Sequence, residues 1–134
     1  MRVYNNTYLG IVGNPYYIWR RATGNAQQLD VKNNIFYDTS VSASVLSLGV
    51  TNTAAAYPGF SLDYNCYHSS AEGFVYQIIS SSSVSNTDPG GLRGYGWETH
   101  GLATDPGFSS LAGGTANSMA NNYGLQSGPP CVGA

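Results

Sequence analysis

The chain has 134 residues, 9% of them charged, and five Lys and Arg against seven Asp and Glu leave a formal net charge of −2. That is one domain or part of one, too weakly basic for phosphate-driven nucleic-acid binding and lacking the ~20-residue apolar run of a membrane-spanning helix. Seventeen Gly, eleven Tyr and 42% hydrophobic residues exclude a coiled coil and exclude disorder, leaving a β-rich, turn-rich domain with a polar, uncharged surface.

In chain order, Met1 to Thr7 contains no apolar h-region, so no signal peptide is visible. A short pattern opens the chain and returns twice. Val3-Tyr4-Asn5-Asn6-Thr7-Tyr8 resembles Val31-Lys32-Asn33-Asn34-Ile35-Phe36, and both resemble Leu62-Asp63-Tyr64-Asn65-Cys66-Tyr67. The aligned asparagines are Asn6, Asn34 and Asn65, spaced 28 and then 31 residues apart. Each copy precedes a second strand-like run: Tyr16 to Trp19, Val45 to Leu48, and Phe74 to Ile79. Ser80 to Gly91 reads as a low-complexity connector.

A unit of this size cannot bury its apolar face alone, but stacked units can. Each strand is then expected to pair in parallel with its equivalent in the next unit. The columns Val3, Val31, Leu62 and Thr7, Ile35, Cys66 are expected to face inward. Asn6, Asn34 and Asn65 are expected to form an amide ladder, a use that suits a residue tolerant of left-handed backbone. The competing reading is chance similarity within an ordinary antiparallel sandwich. Cys66 and Cys131 either pair or are two small buried thiols; no third ligand nearby suggests structural zinc.

The three Asn motifs resemble the coils of right-handed parallel β-helix proteins, the pectin-lyase-like superfamily. Trp97-Glu98-Thr99-His100 with Asp105-Pro106-Gly107-Phe108 resembles the "HS…DP.F" segment near the end of many such proteins. Tyr123 to Cys131 resembles their closing "F.L..GSPA.DAG" segment, with Pro129-Pro130-Cys131 in place of Ser-Pro-Ala. The resemblance runs from Val3 to Ala134. It implies an all-β, right-handed parallel β-helix of about three coils over residues 1–79, with a loop and irregular C-terminal tail over 80–134 packing on the last coil. It also implies the C-terminal piece of a longer protein, secreted or at the cell surface. Its N-terminal end is then expected to be covered, by self-association or by neighbouring β-helix coils.

Proteins of this superfamily cleave, epimerise or bind polysaccharides. Their lyases take a proton with Lys or Arg while Ca²⁺ or Arg neutralises a uronate, and their hydrolases use two or three Asp. Neither constellation stands out here. The expectation is therefore a polysaccharide-active or polysaccharide-binding segment without a complete active site of its own. The alternative is a non-catalytic structural segment of an adhesin, extracellular fibre or phage tailspike that assembles with other chains. The candidate sugar-binding set is Tyr16, Tyr17 and Trp19 as a stacking platform with Arg20 and Arg21 as carboxylate partners. The competing reading is core aromatics followed by two exposed arginines. His68 reads as a strand-end residue rather than a base. Glu98, His100 and Asp105 have the look of a metal or acid/base set, but they fall within the tail motif, which favours a structural loop. No cofactor is expected; Ca²⁺ stays open as an alternative, with no Asp-rich loop to support it. Asn5-Asn6-Thr7 is a glycosylation sequon.

Overall fold

Apolar and polar residues alternate in Arg2-Val3-Tyr4, Leu29-Asp30-Val31-Lys32 and Phe60-Ser61-Leu62-Asp63, the pattern of strands buried on one face. The computed structural model describes residues 1–9, 16–19, 28–38, 46–49, 55, 57–69, 75–79, 82–87, 89–111, 121–128 and 131. In it the three segments are β1 (Arg2–Tyr4), β4 (Leu29–Lys32) and β7 (Phe60–Asp63). They pair in parallel in the order β1-β4-β7, with Val3 beside Val31 and Val31 beside Leu62. A second parallel sheet joins β2 (Thr7–Leu9), β5 (Ile35–Asp38), β8 (Cys66–Ser69) and β11 (Leu102–Ala103) in the order β11-β8-β5-β2. In the third sheet β3 (Tyr16–Trp19), β6 (Leu46–Gly49) and β9 (Val75–Ile79) are parallel, and β10 (Ser82–Thr87) adds antiparallel to β9. Beyond it lie a short helix, α1 (Pro89–Arg93), and a two-stranded antiparallel sheet of β12 (Phe108–Leu111) and β13 (Asn121–Leu125).

These observations correct the expected fold. The described residues do not form a right-handed parallel β-helix of three coils. They form small, separate sheets, two parallel and two containing antiparallel pairs, together with one helix. The physical reason lies in the second half of the chain. β10 pairs antiparallel with β9, with Ser82 opposite Ile79. A local hairpin closes a far shorter loop than another parallel crossover. The serine-rich segment expected as a connector is thus the strand β10, and α1 starts at Pro89, whose fixed φ suits a first helical position.

The inward columns are also reassigned in part. Val3, Val31 and Leu62 are buried as expected. On the second sheet, however, the core face carries Tyr8, Phe36 and Tyr67 rather than Thr7, Ile35 and Cys66. Their rings stack in a column, 5.0 Å between Tyr8 and Phe36 and 5.2 Å between Phe36 and Tyr67. The opposite face meets the C-terminal tail instead. Cys66 is disulfide-bonded to Cys131, and the Tyr37 ring lies edge-on to Phe108 at 5.3 Å. One end of the core is closed by Leu92 of α1 and by Trp97, whose ring packs 5.8 Å from Phe60 and 6.4 Å from Tyr57. Trp97 Nε1 is buried with no hydrogen-bond partner among the described residues. None of the described helices is long and apolar enough to cross a membrane.

Candidate functional site

Each passage from the first sheet to the second is a two-residue corner, and the corners stack. Asn5, Asn33 and Tyr64 take the left-handed conformation, with φ of 58°, 55° and 60°. The residue that follows each is a ladder asparagine. The left-handed backbone therefore falls one position before the asparagines expected to adopt it. Asn suits that conformation; Tyr64 bears a steric cost of ~1–2 kcal/mol. Its corner is braced by Asp63, whose Oδ1 accepts from Tyr64 N at 3.0 Å.

The three asparagines are brought together, and their bonding has a direction. Asn6 donates from its backbone N and from Nδ2 to Asn34 Oδ1, 3.1 Å in each case. Asn34 donates in the same way to Asn65 Oδ1, both at 3.0 Å. Asn65 donates from Nδ2 to Glu98 Oε1 at 2.6 Å and from its backbone N to Oε2 at 3.3 Å. Tyr67 OH also donates to Oε1, at 2.5 Å. The remaining amide hydrogens reach carbonyls: Asn34 Nδ2 donates to Val3 O at 2.9 Å and Asn65 Nδ2 to Val31 O at 3.1 Å. Buried amides that satisfy one another this fully fix the corners in register.

Glu98 was not foreseen as the last member of this ladder. A signal was present: it lies 33 residues beyond Asn65, close to the earlier intervals. The change of residue type hid it. An acceptor-only carboxylate is what the last rung needs, because no further amide has to be served beyond it. Glu98 is fully buried, and burial pushes its carboxyl up to about 7, against the lowering effect of the bonds from Tyr67 and Asn65. Burial and the same carboxylate hold the Tyr67 phenol well above its ordinary value. Arg93 does not pair with the carboxylate. Its guanidinium donates to the carbonyls of Glu98 (3.1 Å), Thr99 (3.2 Å) and Gly101 (2.7 Å), clamping the loop around it. Gly101 packs so close that any Cβ there would run into the Glu98 side chain.

The other polar candidates also have structural partners. His100 holds Asp63 through both its backbone N (2.8 Å) and Nδ1 (2.9 Å), and its ring stacks on Tyr64 at 4.3 Å. Burial raises the Asp63 carboxyl, but these bonds outweigh it and leave Asp63 below its usual range. Asp105 accepts from Gly107 N at 2.8 Å. His68 stacks on Tyr37 at 4.8 Å. Glu98, His100 and Asp105, read as members of a structural loop, thus have separate partners. Among the described residues no group of three His, Cys, Asp or Glu can hold a metal ion. Tyr16, Tyr17 and Trp19 lie on β3, at the edge of the third sheet, beside Leu46, Ser47 and Gly49. Arg20 and Arg21 lie outside the described residues.

One cavity of about 330 Å³ runs along the outer side of the ladder corners. Its wall includes the left-handed residues Asn5, Asn33 and Tyr64, with Ile35 from β5, and Leu125 and the Cys66–Cys131 bridge closing the tail side. Among the described residues no charged side chain lines it. No family model, curated protein or solved structure matches the chain.

Proposed function

We propose that the chain is a non-catalytic polysaccharide-binding segment and that this cavity is where a neutral sugar unit sits. The observation that carries the reading is the lining: amides, a hydroxyl and a phenol beside aliphatic surface, without a charge among the described residues. Amides and hydroxyls both donate and accept, as sugar hydroxyls require, and Ile35 and Leu125 offer apolar contact. The volume lies at the low end of the ~300–1,000 Å³ typical of small-ligand sites. Among the described residues no carboxylate lines the cavity, which favours binding of a sugar over acid/base cleavage of a glycosidic bond.

Affinity electrophoresis through gels containing neutral or acidic polysaccharides tests this. The native chain is expected to be retarded by a neutral glycan, and Asn33→Ala and Tyr64→Ala to lose most of that retardation while Trp19→Ala keeps it. No retardation in any gel defeats the reading. Loss confined to Trp19→Ala moves the site to β3. Incubation with uronate polymers is expected to give no unsaturated product absorbance; a rise would make the chain a lyase.

A further inference from the structure

The Cys66–Cys131 bridge differs from an ordinary buried staple in where it lies. It stands in the wall of the cavity, whose residues Asn5, Asn6 and Thr7 are exposed, so solvent has a path to it. Its two halves are unequal. Cys66 is 3% exposed, held in β8 between β5 and β11, whereas Cys131 is only partly buried. A thiol that enters the cavity therefore meets Cys131 as the more accessible half.

The bridge is also the last tie on its segment. Gln126 is still fastened, donating from its backbone N to Gly107 O at 2.9 Å and from Nε2 to Phe108 O at 3.2 Å. After it, Ser127 and Gly128 are exposed and make no hydrogen bond among the described residues. Gly128 has a φ of 82°, which glycine adopts freely, and no atom lies within 4 Å of where its Cβ would be. Cys131 is joined to the second sheet through its sulfur. The described residues past Gln126 thus form a strap, anchored at Gln126 and fastened at Cys131.

The sheet side is already built for the unfastened state. Cys66 Sγ lies 3.6 Å from Thr104 O, within reach of an S–H···O bond. Thr104 is itself held there: its backbone N donates to Tyr67 O at 3.0 Å, and β11 pairs with β8 just before it. A released Cys66 thiol therefore finds an acceptor without rearrangement, and no buried polar group is stranded. The rest of the tail stays seated through Phe108, whose ring meets Tyr37 at 5.3 Å.

We propose that the bridge is a redox latch on the cavity: a low-molecular-weight thiol reduces it by attack at Cys131, the strap comes free, and the tail side of the cavity opens. The small thiolate forms a new S–S bond to Cys131 Sγ. The old S–S bond breaks, its electron pair goes to Cys66 Sγ, and that sulfur takes a proton from solvent. A second molecule of the thiol then attacks the sulfur of the first. Cys131 leaves as a thiolate, and the two small thiols depart joined as one disulfide. Two electrons pass in all from the small thiols to the bridge. The disulfide form of the same thiol runs these steps in reverse and fastens the strap again. Cys131 and Leu125 form the tail wall, so reduction removes part of the sugar site. That consequence rests on the glycan reading above; the latch itself does not.

The native chain treated with reduced glutathione, quenched in acid and mapped by mass spectrometry tests the point of attack. The mixed disulfide is expected on Cys131 in about tenfold or greater excess over Cys66; an equal split or an excess on Cys66 overturns the proposal. Nitrogen-15 relaxation tests the strap. On reduction the amide order parameter of Cys131 is expected to fall from about 0.85 to below about 0.6, with Val31 and Leu62 unchanged. Cys131→Ser is expected to show the same loose strap with no thiol present and no response to glutathione. Loss of order at Val31 and Leu62 in both the reduced chain and Cys131→Ser would make the bridge a staple of the whole fold and overturns the latch. Order kept at position 131 after reduction overturns it as well, because the strap then stays down without its bridge. Affinity electrophoresis in gels of hydroxyethyl cellulose, galactomannan and dextran separates the latch from the sugar reading. In the gel that retards the native chain, reduction is expected to weaken binding about fivefold, the worth of a lost wall contact, and oxidised glutathione to restore it. Equal retardation before and after reduction overturns the gating of the site. No retardation of the native chain in any gel defeats the sugar reading, and the thiol mapping and order parameters then decide the latch alone.

Discussion

The two ends of the amide ladder teach more than its middle does. At one end Glu98 accepts the last amide, Leu92 and Trp97 cover the core, and Arg93 clamps the loop. At the other, Asn6 is exposed, no donor among the described residues reaches its Oδ1, and β1 and β2 each end their sheet among the described strands. The same amide chemistry is therefore buried against a carboxylate on one side and exposed to solvent on the other. A closed end needs a residue that only accepts; an open end keeps the residue that does both. The difference is a statement about free energy, because a buried unsatisfied group costs ~1–3 kcal/mol and an exposed one costs little.

The largest expected effect comes from breaking the ladder next to its closed end. Asn65→Ala removes the acceptor of two Asn34 donors and one of the donors to Glu98. All of these groups are buried, so a loss of about 4 kcal/mol is expected in urea unfolding. A loss under 1 kcal/mol would mean that the ladder is incidental to stability.

Somewhat smaller is the effect of releasing the tail. The Cys66–Cys131 bridge spans 65 residues, and a native bridge is typically worth about 2–4 kcal/mol. Reduction, or the pair Cys66→Ala and Cys131→Ala, is expected to lower the unfolding midpoint and to open the cavity beside Ile35. If the reduced chain keeps its midpoint, the tail is held by β12 and β13 alone.

The closed end also predicts a pH dependence, and its sign is fixed. Glu98 has its folded carboxyl raised from 4.5 to about 7 by burial. A raised value means the folded state holds the proton more tightly than the unfolded chain. The contribution is then fully present below about 4.5 and is lost as pH rises to about 7, a fall of about 3 kcal/mol. Glu98→Gln is expected to flatten this slope between pH 4.5 and 7. Asp63 acts in the opposite sense, since its carboxyl is lowered; its share is lost on acidification below the ordinary carboxylate range. An unfolding midpoint that rises from pH 5 to 7 in the native chain contradicts the assignment to Glu98.

The sequence showed the open end better than the closed one. Asn6, Asn34 and Asn65 were legible because an unchanged residue recurs within an unchanged pattern. Glu98 was not, because the closing rung must differ in kind from the rungs it closes. The facing of β2, β5 and β8 was misread for a related reason. Both faces of that sheet are covered, one by the core and one by the tail, so apolar content could not distinguish them. Thr7, Ile35 and Cys66 looked like a compact inner column, yet the core had room for three stacked rings. The strand β10 was hidden in a serine run whose local preference is for turns; its pairing with β9 is a tertiary fact. The global arrangement into separate sheets followed from that same half of the chain, where no repeat guided the reading.

The smallest effect is expected at Asn6, and its smallness is informative. Asn6→Ala removes two donors to Asn34 Oδ1 only in part, since the backbone N–H remains. The lost Nδ2 also served Tyr4 O at 3.0 Å, an exposed bond that water replaces. The expected cost is therefore under about 1 kcal/mol, against about 4 at Asn65. Urea unfolding of Asn6→Ala and Asn65→Ala side by side measures the difference. Equal costs at the two positions would show that burial does not set the worth of a rung, and the contrast between the two ends would carry no energetic weight.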